Sequence, residues 1–187
     1  MTWLDFQQTQ VGDAGASALA AALDRGALPR LKFFGLGIAA IGDAALAALA
    51  PALRRRSALK QLYLAGNPFG DEGLAALVAP PPLAGTPPRP AGGLKKLELL
   101  DLRYTQVSDA GCATLAAALD SGVLPALEEL KLDAIPASGA AIDAVYAAMK
   151  RSRARAAFLT CWRSGYRWTL QGTARGPAWA FVGPSTQ

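Results

Sequence analysis

One run of residues governs what this chain can become. Residues 97–119 read LELLDLRYTQVSDAGCATLAAAL. Leu100 and Leu102 are two apart, so their side chains share one face of a short extended segment. A polar link at 104–106 follows, then Val107 and Ser-Asp-Ala-Gly. Cys112, Leu115, Ala116 and Leu119 next make an apolar stripe at helical spacing. A strand turns into a helix inside this one run, and neither element can bury its apolar face alone.

Four more copies begin at Trp3, Leu31, Leu59 and Leu127. The strand positions Leu4, Phe34, Leu62, Leu100 and Leu130 are spaced by 30, 28, 38 and 30 residues. A second strand column reads Phe6, Leu36, Leu64, Leu102 and Leu132, and a helix column reads Leu19, Leu49, Leu77, Leu115 and Val145. Three columns in register over five copies predict an α/β solenoid of about five strand–helix units. Each unit buries its apolar edge against its neighbours.

The best copy is Leu59-Lys-Gln-Leu62-Tyr-Leu64-Ala-Gly-Asn67, an L-x-x-L-x-L run complete to the asparagine. This pattern resembles the leucine-rich repeat, and a unit of 28 to 30 residues opening its helix with Asp-x-Gly resembles the ribonuclease-inhibitor type. The resemblance implies a partial horseshoe, with a parallel sheet on the concave side and helices on the convex side. It also implies a protein that binds another protein. Its asparagine would bond backbone groups of the turn; the aligned residues are Thr9, Ala39, Asn67, Thr105 and Ile135. Ala39 and Ile135 cannot do so, and the turns of the second and fifth repeats should be looser or differently satisfied.

Asp13, Asp43, Asp71 and Asp109 each precede or open a helix, where a carboxylate meets amide hydrogens and the positive end of the dipole. Capping is the expected role, and stacking one per repeat argues against metal binding. Pro51 should shorten or bend the second helix. The repeats are expected over 1–150, with the proline-rich run 80–93 as an insertion that accounts for the long third spacing. PPRP within it leaves open a ligand for a proline-binding module. The fifth helix is expected over 142–149, and 151–187 as a basic, aromatic tail. That tail would cap the solenoid, remain loosely ordered, or contact a membrane or nucleic acid. A possible strand lies at 166–170. The first repeat begins at the very start of the sequence, leaving no room for a cap. The chain is therefore expected to be a fragment or to dock its open edge on a partner.

Charge separates along the chain. Residues 1–149 hold twelve Lys/Arg and fourteen Asp/Glu, whereas 150–187 hold seven Lys/Arg and no acid. The body is expected to lack the basic stripe that nucleic acid requires, and its acidic balance argues the same way, so nucleic acid or membrane would act only through the tail. No apolar window is long enough to cross a bilayer, and the start has neither a basic region nor an apolar run of a leader. Two cysteines make no disulfide scaffold, which suits an intracellular, cytoplasmic setting.

Chemistry finds little to work with. There is no histidine, which removes Ser–His and Cys–His systems and His-bound metals. Cys112 aligns with apolar helix positions and reads as core; Cys161 sits in the basic tail, where its thiol would be acidified if exposed. No phosphate loop is present. The expectation is a protein that is not an enzyme, with no cofactor, metal or small-molecule ligand.

Outward strand positions read Asp5, Gly35, Tyr63, Asp101 and Lys131 in one column, with Trp3, Phe33, Gln61, Leu99 and Glu129 before it and Gln7, Gly37, Ala65, Arg103 and Asp133 after it. Aromatics beside arginine suit the centre of a protein interface. Phe33, Tyr63, Leu99, Asp101, Arg103, Tyr104 and Lys131 are the candidate partner-binding residues, with Gly35, Gly37, Ala65 and Gly66 forming a shallow depression. The alternatives are a regulatory piece of a larger protein, such as a GTPase-activating or immune-receptor-like one, or a tail-driven membrane or nucleic-acid adaptor.

Overall fold

In the computed structural model, residues 2–78, 94–163, 167–173 and 176–182 are described, with side-chain surroundings through 157. Five short strands, β1 (Trp3–Asp5), β2 (Phe33–Gly35), β3 (Gln61–Tyr63), β4 (Leu99–Asp101) and β5 (Glu129–Lys131), lie in chain order in one parallel sheet. Helices α1 (Gly12–Asp24), α2 (Asp43–Arg54), α3 (Asp71–Val78), α4 (Asp109–Ser121) and α5 (Gly139–Arg163) pack behind it. The result is the expected solenoid of about five repeats, sheet on the concave side and helices on the convex side.

The leucine columns set the register. Leu4 pairs with Phe34, Phe34 with Leu62, Leu62 with Leu100 and Leu100 with Leu130. Phe34, Leu62 and Leu100 point into the core and are fully buried, as are Leu36, Leu64, Leu49, Leu77 and Leu115. One such leucine contributes about 2–3 kcal/mol. They form one continuous core rather than five small ones, which is why no repeat stands alone. The first repeat has no neighbour on one side, and its Leu4, Phe6 and Leu19 are only half-buried.

The aspartates do cap helices, but not their own. Asp13 Oδ1 accepts from the Gly42 amide at 2.9 Å, at the entry of the next repeat's helix. Asp43 Oδ1 accepts from Gly70 at 2.9 Å and from Gly73 at 2.7 Å. Asp71 takes the Ser108 amide and hydroxyl, and Asp109 takes those of Ser138. Gly42 has no side chain to cap with, and the preceding repeat supplies the acceptor. The glycine of Asp-x-Gly makes room for it: a Cβ on Gly73 would lie 2.8 Å from Asp43 Oδ1.

Asn67 likewise serves two repeats. It is 2% exposed. Its Oδ1 accepts from Ala39 and Ile41 of the preceding turn, both at 3.0 Å, and its Nδ2 donates to Leu36 O at 2.6 Å and Leu64 O at 2.8 Å. The second turn, which has alanine where an asparagine is expected, is satisfied from outside. Thr9 and Thr105 each donate to the carbonyl three residues back.

Pro51 does not shorten α2, which runs on to Arg54. Pro51 is exposed, so the carbonyl its ring leaves unpaired faces water. The fifth helix is longer than expected: α5 passes through 150 and continues to Arg163, carried by the helix-forming Lys, Arg and Ala beyond Met149. Strands β6 (Arg167–Thr173) and β7 (Gly176–Val182) then pair antiparallel, and β6 falls where the short strand was anticipated. The insertion expected over 80–93 lies outside the described residues.

Candidate protein-binding surface

An aromatic row begins at the free edge of the sheet. Trp3 stacks on Phe33 with ring centroids 3.6 Å apart and planes 4° apart. Phe33 in turn meets Tyr63 at 5.1 Å and 36°. Trp3 is 56% exposed while Phe33 is 6% exposed, because the indole covers it. The tilted Phe33–Tyr63 pair adds about 1 kcal/mol to its area burial, whereas the face-to-face Trp3–Phe33 stack contributes chiefly buried area. The row is thus a preformed apolar strip with its outer ring open to solvent.

Beyond the strand ends lies a depression of about 390 Å³. Gly37, Ala65 and Gly66 form its floor, and Gln7, Gln8, Ile38, Tyr63, Arg103 and Tyr104 its sides. Gly35 does not contribute as expected, since Asp5 and Gln7 occupy the space above it. The walls owe their position to an unusual backbone. Gln8, Ile38, Gly66, Tyr104 and Ala134, one per repeat, all have positive φ, between 55° and 70° except Ile38 at 53°. Each non-glycine residue there costs about 1–2 kcal/mol. Amide bonds between neighbouring turns hold them: Gln8 to Gly37 O, Ile38 to Ala65 O, Gly66 to Arg103 O and Tyr104 to Asp133 O, at 2.8, 2.8, 2.8 and 3.1 Å. The conformation lifts Ile38 and Tyr104 out of the surface, where they are 60% and 66% exposed.

Asp101 is not an open surface carboxylate. It is fully buried beneath Arg103, whose Nη2 reaches Asp101 Oδ2 at 2.7 Å and whose Nε reaches Oδ1 at 3.0 Å. The Arg103 amide also donates to Asp101 Oδ1. Hydrogen bonding to Asp101 raises the Arg103 pKa further above its already high value. Asp101 therefore fixes the guanidinium plane against the sheet.

Of the seven candidates, Tyr63, Asp101, Arg103 and Tyr104 gather at this depression, and Phe33 joins through the Tyr63 ring. Leu99 lies buried in β4. Lys131 stands apart and pairs with Glu129 at 3.1 Å. Ile38 and Trp3 were not among the candidates, yet they are the exposed apolar groups on either side of the set. Ile38 was detectable: it occupies the same repeat position as Tyr104, in a column whose other members are glutamine, glycine and alanine.

Among the described residues, no cluster of His, Cys, Asp or Glu is arranged to hold a metal ion. Cys112 lies buried in the core, and burial, then Asp109 and Asp71, push its thiol pKa up. Cys161 lies outside the residues whose side-chain surroundings are described.

Three segments, 1–20, 58–78 and 93–116, match the family described as Leucine Rich repeat. They fall in the first, third and fourth repeats, which keep Asp-x-Gly; the second has Ala45 and the fifth Ala141 at the glycine position. A solved structure titled leiomodin-1 actin-binding site 2 is 17% identical with a TM-score of 0.60, covering 88% of each chain. The C-terminal domain of tropomodulin from Caenorhabditis elegans is 15% identical with a TM-score of 0.63, covering 87% of this chain and 90% of that one. The chain has the leucine-rich-repeat-like solenoid fold.

Proposed function

We propose that this protein is a non-enzymatic scaffold that binds a partner protein at the strand-exit end of its concave face. The observation that carries the reading is the depression floored by Gly37, Ala65 and Gly66 and walled by Ile38 and Tyr104. Two large apolar side chains are held out in water at a cost in backbone strain, next to an arginine already fixed in place. Exposed aromatics and an oriented arginine are the residue types that dominate binding energy in protein interfaces. The repeat length and Asp-x-Gly helix entry keep the ribonuclease-inhibitor type as the proposed repeat subtype, and an intracellular setting belongs to the same proposal.

Because a similar fold in leiomodin-1 is titled an actin-binding site, actin is the first partner to test. The measurement is binding of the full chain to labelled actin at low and raised salt, for wild type and for Ile38→Ala, Tyr63→Ala and Tyr104→Ala. A salt-tolerant complex that weakens at least about tenfold in each variant is expected. Binding that survives all three substitutions would place the interface elsewhere. Absence of any actin complex would exclude actin, and the same variants would then be compared against other protein partners.

A further inference from the structure

Basic side chains of the repeat body gather at one edge, where they outnumber the carboxylates Asp24, Glu98, Asp120 and Glu128. The strands run from an entry edge to an exit edge, and each helix runs back, so helix C-termini lie at the entry edge. Asp13, Asp43, Asp71 and Asp109 line the exit edge at the helix starts. At the entry edge, Arg25, Arg30, Lys32, Lys95, Lys96 and Arg153 are all exposed, and none of their side chains makes a hydrogen bond or ion pair among the described residues. Arg54, Arg56 and Arg155 there are spent on helix-end carbonyls. The near-balance of twelve basic and fourteen acidic residues in 1–149 hides this gathering.

A second observation comes from β6 and β7. Their register sets Trp168 opposite Phe181 and Leu170 opposite Trp179. Directly paired residues share a face of a ribbon, so four large apolar residues fall at positions of one face. Arg167, Thr169 and Gln171 fall at positions of the other, paired with Val182, Ala180 and Ala178. A lone two-stranded ribbon is marginal in water. The helix that leads to it carries Lys150, Arg151, Arg153 and Arg155. At 25 residues against 13 for α1 and α4, α5 runs about 18 Å further in the direction of the entry edge.

We propose that the strand-entry edge docks on an anionic phospholipid bilayer, with the Trp168–Phe181 face of the β6–β7 ribbon seated at headgroup level. Clustered lysine and arginine are drawn to the negative surface of such a membrane, and tryptophan favours its interface. Strength of such interfacial binding scales with buried apolar area plus attraction to anionic lipid, and both are offered here. A nucleic acid suits the edge less well. Its depression, between Pro125, Glu128 and Arg153, measures about 160 Å³ and includes a carboxylate, too small to track a strand. Docked this way, the protein turns its strand-exit depression away from the lipid.

The test is co-sedimentation of the full chain with vesicles of phosphatidylcholine alone and with added phosphatidylserine, beside a single-stranded RNA oligonucleotide titrated by anisotropy. The expected result is phosphatidylserine-dependent binding that falls with salt and a blue shift of tryptophan emission. Lys95→Glu with Lys96→Glu should cut partitioning about tenfold or more, as each cation near such a surface is worth about fivefold. Trp168→Ala with Trp179→Ala should abolish the blue shift and leave the urea midpoint unchanged. Equal binding to neutral vesicles, no vesicle binding, or retention by RNA alone would overturn the proposal. So would a lowered urea midpoint in the tryptophan variant, which would make the ribbon a cover for the repeats.

Discussion

Replacing Asn67 with alanine removes a buried side chain that bonds two successive turns. The side chain makes four bonds of 2.6 to 3.0 Å while 2% exposed, and it ties the second turn to the third. Truncation strands the amides of Ala39 and Ile41, both buried. A stranded buried donor costs about 1–3 kcal/mol, and the two lost carbonyl partners add less because a carbonyl has a second lone pair. The sum is about 3–5 kcal/mol, a large share of the 5–15 kcal/mol typical of a domain. Thr105→Ala is the control: it is similarly buried but loses one bond of 2.8 Å, and about 1 kcal/mol is expected. Urea unfolding followed by circular dichroism measures both, with the slope compared to confirm a common transition. Asn67→Asp sharpens the test, because the second carboxylate oxygen would face Leu36 O and Leu64 O. Burial and those carbonyls would raise its folded-state pKa. The variant should regain stability as pH falls from that raised value toward the ordinary carboxylate range, where the protonated acid can donate. An Asn67→Ala variant within about 1 kcal/mol of wild type would refute the argument, since water would then be serving the turn equally well.

Gly73→Ala should destabilise by about 1–3 kcal/mol despite alanine's better helix propensity, because the new Cβ meets Asp43 at both Oδ1 and Cα; a raised urea midpoint would contradict this. Combined with Asp43→Ala, the two losses should be less than additive. Arg151 holds Asp120 through bonds of 3.0 and 2.7 Å, and that hydrogen bonding lowers the Asp120 pKa. A folded pKa below the unfolded one gives stability that is present above the ordinary carboxylate range and lost as pH falls through the lowered value. In Arg151→Ala, carboxyl NMR should show Asp120 moving back toward its ordinary value and the acid limb of the stability curve flattening. An unmoved titration would rule out the pair as the cause.

Columns with a period of two in the strands made Leu4, Phe34, Leu62, Leu100 and Leu130 legible, because a side chain's face follows from parity alone. The aromatic and charged concave columns were legible for the same reason. What parity cannot carry is a partner that lies a whole repeat away. Asp43 reads as the cap of its own helix, and only the stacking of α2 on α3 brings Gly70 and Gly73 to it. The burial of Asp101 depends on Arg103 folding back over it, although their spacing on one strand face hinted at the pair. The exposure of Ile38 depends on a left-handed turn that isoleucine alone does not favour. The length of α5 was missed because its apolar stripe ends at Met149, whereas its continuation rests on local propensity.

The offset capping changes what counts as one interchangeable part. A strand with its following helix looks like the unit of duplication, yet the second, third and fourth such pieces each carry a carboxylate for the successor and borrow one from the predecessor. The helix entries at Gly42, Gly70, Ser108 and Ser138 accept that carboxylate through the same backbone amide. Deletion of the third period is therefore expected to leave no helix start uncapped, with Asp43 meeting the Ser108 amide in place of that of Gly70. The fifth repeat, with Gly139 in the aspartate position, offers nothing to a sixth, so growth of the array within the sequence is chemically directional and ends there.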